Sequence, residues 1–144
     1  MTSTPATECL QGLIDVVSKG EAAFHAAVAA ARNDEVRALL LDRAYRFTRA
    51  AAALRAMGYG LSETQSSKHD IPVSPAGDDI ALLADCERRE DGAIVAFRDA
   101  LEATLPTEVR RTIEREFERL LGRLGNLRAL RDRLVHRERI PQAM

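Results

Sequence analysis

Three glutamates fall where a helical protein would bury its side chains. In alternating steps of four and three, the first apolar stretch runs Leu10, Ile14, Val17, Glu21, Phe24, Val28 and Ala31, so Glu21 lands on the apolar seam. Glu87 falls between Leu83 and Ile94 in the same manner, with Glu90 and Asp91 one turn on. A carboxylate in an apolar interior does not stay ionised alone; it takes a cation, a metal ion or a proton. Carboxylates facing each other across a bundle, completed by Glu-x-x-His on the other helices, hold two metal ions. Those completing motifs are missing. The second stretch offers Arg43, Arg46 and Ala50, and the last offers Leu120, Leu121, Gly122, Leu124 and Gly125. Two or three carboxylates without imidazole make a poor iron site. Glu21, Glu87 and Glu90 are therefore read as remnant metal candidates, with no metal expected. Counting through the turn at Asn33 sets Glu21 level with Arg43 and Arg46, which predicts a structural Arg–carboxylate pair in the bundle core.

Other reactive side chains lack partners. His25 lies one helical turn after Glu21, close enough for both to touch one ligand, but its flanks carry no Lys of the kind a phosphotransfer histidine uses. His69 and His136 stand in a loop and in a charged tail. Cys9 and Cys86 are too few and too far apart for a disulfide framework or a zinc site, and are expected as reduced, packed thiols. No Gly-rich phosphate loop, nucleophile elbow or Cys–His pair occurs. The sequence predicts no catalytic residue.

The elements that must position these side chains are helices. The chain has 144 residues, of which 46% are hydrophobic and 30% charged, enough for one domain with its own core. The 21 basic residues, all Arg except Lys19 and Lys68, nearly cancel the 22 acidic ones. That balance argues against nucleic-acid binding. The first residues lack a basic and apolar leader, and no uncharged stretch is long enough to span a membrane, so the expectation is a soluble cytoplasmic protein.

Apolar periodicity predicts four helices in a single domain, at about 5–32, 34–57, 78–104 and 107–136. Thr4-Pro5 opens the first, Asn33 caps the second, and Gly58-Tyr59-Gly60 ends it. Residues 59–77 are rich in Gly, Ser, Pro and Asp and read as a long connection. Helices 1 and 2 are joined by almost no loop, as are 3 and 4, so each pair is an antiparallel hairpin. A 24-residue helix is about 36 Å long, and nineteen extended residues reach roughly 60 Å. The connection can climb the whole bundle, which predicts a ferritin-like crossover; the alternative is a disordered loop on a simple up-down bundle. The third helix carries eight acids against three Arg and the fourth ten Arg against six acids, a favourable pairing of neighbours. Gly122-x-x-Gly125 and Ala50–Ala53 are surfaces suited to close helix contact, within the bundle or in a dimer.

Several runs, taken together, resemble a known family. They are Leu13-Ile14 with Lys19-Gly20-Glu21-Ala22-Ala23-Phe24, then Glu35-Val36-Arg37-Ala38-Leu39-Leu40, and Cys86-Glu87-Arg88-Arg89-Glu90-Asp91. Leu105-Pro106 with Glu108-Val109-Arg110, and Leu127-Arg128-Ala129-Leu130-Arg131-Asp132, complete the set. From about Glu8 to Asp132 the chain resembles a bacterial family of ferritin-like four-helix-bundle domains of unknown function, distantly rubrerythrin-like. The resemblance implies a ferritin-like bundle in a bacterial cytoplasm, with links to stress or metal. Members often carry a His in helix 4, where Leu124 stands here, and a carboxylate late in helix 2, where Ala53 stands. The expectation is a non-enzymatic bundle, acting as a stress-associated or partner-binding module with a degenerate metal site. It would form a dimer, hold no cofactor, and bind neither nucleic acid nor membrane. The alternative is a di-iron or di-manganese oxidoreductase, or a metal-handling protein of the ferritin or rubrerythrin type.

Overall fold

A computed structural model of the chain describes residues 5–57, 78–121 and 126–139. They form five helices: α1 (Pro5–Ala30), α2 (Asp34–Arg55), α3 (Asp79–Glu102), α4 (Thr107–Leu121) and α5 (Asn126–Arg139). No strand occurs among the described residues, and no helix is long and apolar enough to cross a membrane. The span predicted as one helix at 107–136 is described as α4 and α5. Thr4, the stop at Gly58-Tyr59-Gly60, the connection 59–77 with His69, and Gly122, Leu124 and Gly125 lie outside the described residues.

Local chemistry sets the helix starts. The Asn33 side chain accepts from the Glu35 and Val36 amides at 2.8 and 3.1 Å, two donors that the first turn of α2 leaves unpaired. Asp34 and Glu35 add negative charge at the positive end of that helix. Asp78 caps α3 through the Ala81 amide at 2.9 Å. The next residue does something different. The Asp79 carboxylate accepts from the backbone amides of Arg32 and Asn33, at 3.0 and 2.7 Å, and ties the start of α3 to the α1–α2 turn. Farther along, Arg43 of α2 meets Glu90 of α3. α2 and α3 therefore set off from the same end and point the same way, facing each other across the core.

α1 packs on α2 and α3, while α4 and α5 close the other side against the same two helices. The core runs through the middle, from Leu10, Ile14 and Val17 to Phe47, Phe97 and Leu120. Phe24 and Phe47 pack as tilted rings 4.8 Å apart, and Phe97 stacks on Phe117 at 5.0 Å. α3 turns one face to the core. Ile80, Ala84, Ile94 and Leu101 flank the core, whereas Leu82, Cys86, Ala93 and Ala100 join Leu83 and Phe97 within it. Small residues there let α3 approach its neighbours closely, and the larger aliphatic groups cover the edges.

The seam of α1 is also shifted by one residue. Gly20, not Glu21, is the buried position between Val17 and Phe24. A Cβ at Gly20 would stand 2.6 Å from Cε2 of Phe47, so the glycine is a notch that receives that ring. Gly20→Ala gains about 1 kcal/mol of helix propensity but forces a core ring that Phe24 already holds, a strain of about 1–3 kcal/mol. The expected net result is a loss of about 1 kcal/mol in urea unfolding, reduced when Phe47→Leu is combined with it. An unchanged midpoint for Gly20→Ala would contradict the notch.

Candidate functional site

The shift on α1 changes what Glu21 can do. It is half-buried at the side of the helix, and its Oε1 lies 3.3 Å from Nη2 of Arg55. The predicted pairing of Glu21 with Arg43 and Arg46 is therefore corrected: neither arginine is its partner. Register is the reason. Ser18 meets Arg55 and His25 meets Thr48 across the α1–α2 contact, at 2.8 and 3.1 Å. These pairs set Glu21 opposite Ala52, about two and a half turns from Arg43. Glu21 and His25 reach different α2 residues and do not converge on one point.

Arg43 goes inward instead. It is 0% exposed, the largest fully buried side chain among the described residues. Its Nε donates to Oε2 of Glu90, itself 4% exposed, and its Nη1 lies 3.3 Å from Oδ2 of Asp42. Nη2 is buried without a hydrogen-bond partner. Arg46 turns outward, donating from Nε to Asp42 at 2.9 Å and from Nη1 to the Arg119 carbonyl at 3.2 Å. Of the predicted core pair, the structure keeps Arg43 as the buried cation and supplies Glu90 as its carboxylate.

The neighbouring carboxylates are partnered as well. Glu87, one turn before Glu90, faces α5, where Arg131 pairs with both its oxygens and the Arg128 Nε lies 3.2 Å from Oε1. Glu116 of α4, which the sequence reasoning did not single out, is buried and pairs with Arg119 at 3.2 Å and Arg115 at 3.5 Å. Its place between Ile113 and Leu120 on the same helix face is the signal that could have found it.

Electrostatics follow from this burial. Loss of water around Glu90 pushes its carboxyl up to about 7; the Arg43 guanidinium pulls the other way, and the nearby charges of Asp91 and Glu87 add to the rise. Cys86 is driven up to about 12, first by burial and then by Asp85 and Glu90, with Arg89 opposing. A thiol so placed stays protonated and is no nucleophile at neutral pH. Cys9 is free and half-buried.

As a donor set for a metal, Glu87 and Glu90 do not fit. Each carboxylate faces one or more guanidiniums, and a divalent ion would have to displace fixed positive charge. Among the described residues, no group of three or more His, Cys, Asp or Glu side chains is gathered to hold a metal ion. What the arrangement can do chemically is join helices by charge: Arg43–Glu90 links α2 to α3, and Glu87–Arg131 links α3 to α5. A scan of protein-family models and a search of curated proteins both return no match to the chain.

Proposed function

We propose that this chain is a ferritin-like four-helix bundle working as a non-enzymatic binding module, its interior held by arginine–carboxylate pairs. In this reading α4 and α5 together make the fourth helix. The tie from Asp79 to the α1–α2 turn supports a crossover connection, since α3 begins at the end of the molecule opposite to the end of α2. The observation that carries the functional reading is the fully buried Arg43 on Glu90, with Arg131 and Arg128 on Glu87. These are the interior carboxylates that an oxidoreductase of this architecture would need for metal. The module would sit in the cytoplasm of a bacterium, in a stress-related or partner-binding role, as a dimer. Leu41 and Val95, apolar side chains more than half exposed on α2 and α3, support self-association.

Purified without chelator, the protein is expected to carry no stoichiometric iron or manganese, and neither ion should raise its melting temperature. Glu21→Gln should cost under about 1 kcal/mol, as for an exposed pair, with the same response to metal. A metal-dependent rise in melting temperature that disappears in Glu87→Gln or Glu90→Gln would replace this reading with the di-metal one. Sedimentation at twice the chain mass of 15.9 kDa is expected, and a monomer at high concentration would remove the dimer.

A further inference from the structure

A second feature stands on other residues and does not depend on that reading. Between α2 and α4 lies an open cleft of about 380 Å³, within the size range of small-molecule sites. One wall is a single face of α2, where Asp42, Tyr45, Arg46 and Arg49 recur at helical spacing; Glu116 and Arg119 of α4 make the other. Ala50 and Leu120, both buried, close its bottom, and the Tyr45 ring gives it an exposed apolar surface.

The charges there do not balance. Asp42 is shared by Arg46 and Arg43, and Glu116 by Arg119 and Arg115. Arg49 has no carboxylate within ion-pair distance among the described residues; its guanidinium lies over the Tyr45 ring, 5.8 Å from the centroid. Among the lining side chains the three guanidiniums of Arg46, Arg49 and Arg119 meet the two carboxylates of Asp42 and Glu116, an excess of one positive charge. Both lining carboxylates already accept from arginine, and Glu116 is only 3% exposed, which leaves Asp42, its side chain 40% exposed, as the carboxylate that water reaches. Tyr45 is 59% exposed, and its ring attracts the Arg49 guanidinium through cation–π contact.

We propose that this cleft binds a small phosphate monoester with an apolar body. A guanidinium fork matches phosphate oxygens in pairs. The net positive charge of the lining favours a dianion over a monoanion of the same shape. The exposed Tyr45 ring takes the hydrocarbon part, which distinguishes an ester from free phosphate.

Phenyl phosphate, titrated at low salt and about pH 7.5, where its second proton (pKa about 6) is off, is the probe. Saturable binding with a sub-millimolar Kd is expected, followed by amide shifts in α2 and α4. Benzenesulfonate, a monoanion of similar shape, and inorganic phosphate should each bind at least about fivefold more weakly. Arg49→Gln should weaken phenyl phosphate about tenfold, the worth of one charge-assisted hydrogen bond, with an unchanged melting temperature because Arg49 is exposed. Arg88→Gln, an exposed α3 position outside the cleft, should bind as wild type does. No saturation by about 10 mM, equal binding of inorganic phosphate or benzenesulfonate, or equal losses in the Arg49 and Arg88 variants would each overturn the proposal.

Discussion

Lowering the pH from 8.5 to 5.5 is expected to raise the urea-unfolding free energy contributed by Glu90 by about 2 kcal/mol, and Glu90→Gln should abolish that rise. The sign follows from the direction of the shift. Burial holds the Glu90 carboxyl at about 7 in the folded chain, against an ordinary 4.5. Between those values the folded state keeps a proton that the unfolded state releases. Stability therefore grows as pH falls through 7 and levels off below 4.5. All the groups that act on the carboxyl are accounted for in this sign: Arg43 from α2 opposes the shift, and Asp91 and Glu87 on α3 reinforce it. A glutamine resembles the protonated acid, so the two proteins should be about equally stable at pH 5.5. At pH 8.5 the variant should be the more stable, with Asp42 remaining beside Arg43. Parallel pH profiles for wild type and variant would show that Glu90 does not titrate in this range.

Arg43→Ala is expected to cost about 3–5 kcal/mol at pH 8.5, the largest single-residue effect in the interior. Two losses combine in it. The long side chain leaves a cavity among Phe- and Leu-lined helices, and Glu90 loses its cation in a place without water. Repeating the measurement at pH 5.5 separates them, because a protonated Glu90 needs no cation and only the packing loss remains. Arg43→Met with Glu90→Met removes both charges at similar volume and should recover most of the stability, as apolar replacements of buried pairs often do. If Arg43→Ala unfolds at the wild-type midpoint, the pair is not a structural element. If the double variant is no better than the single one, the loss comes from shape and not from charge.

What the sequence revealed, and what it concealed, divides by the range of the interactions involved. The start of α2 was legible because Asn33, Asp34 and Glu35 act on the turn that follows them. The start of α3 was legible to within a residue through Asp78 for the same reason. Periodicity located the helices, since each must turn an apolar stripe to the core. Glu21 was misplaced by one step on that stripe. The clue was Gly20, a residue that weakens a helix interior unless a neighbour needs the space, and here Phe47 does. Arg43 was recognised as an inward cation, but its partner depends on how α2 and α3 are aligned across the core. Asp79 fixes that relation by binding amides 46 and 47 positions earlier in the chain. Local spacing does not encode such a contact. The cleft escaped for a similar reason: it exists only where Glu116 and Arg119 stand opposite Tyr45 and Arg49.

The spacing of Glu87 and Glu90 has a mechanical consequence for α3. The two carboxylates are less than one turn apart, yet they reach different neighbours, Arg131 on α5 and Arg43 on α2. A helix packed only through alanines and leucines can slip along its axis by one turn, about 5.4 Å, and find nearly equivalent grooves. For α3 that slip would draw both carboxylates off their guanidiniums in one movement, leaving charge in the interior unmet. The apolar face decides which side of α3 points inward, and the two ion pairs act as a ratchet pawl that sets its height.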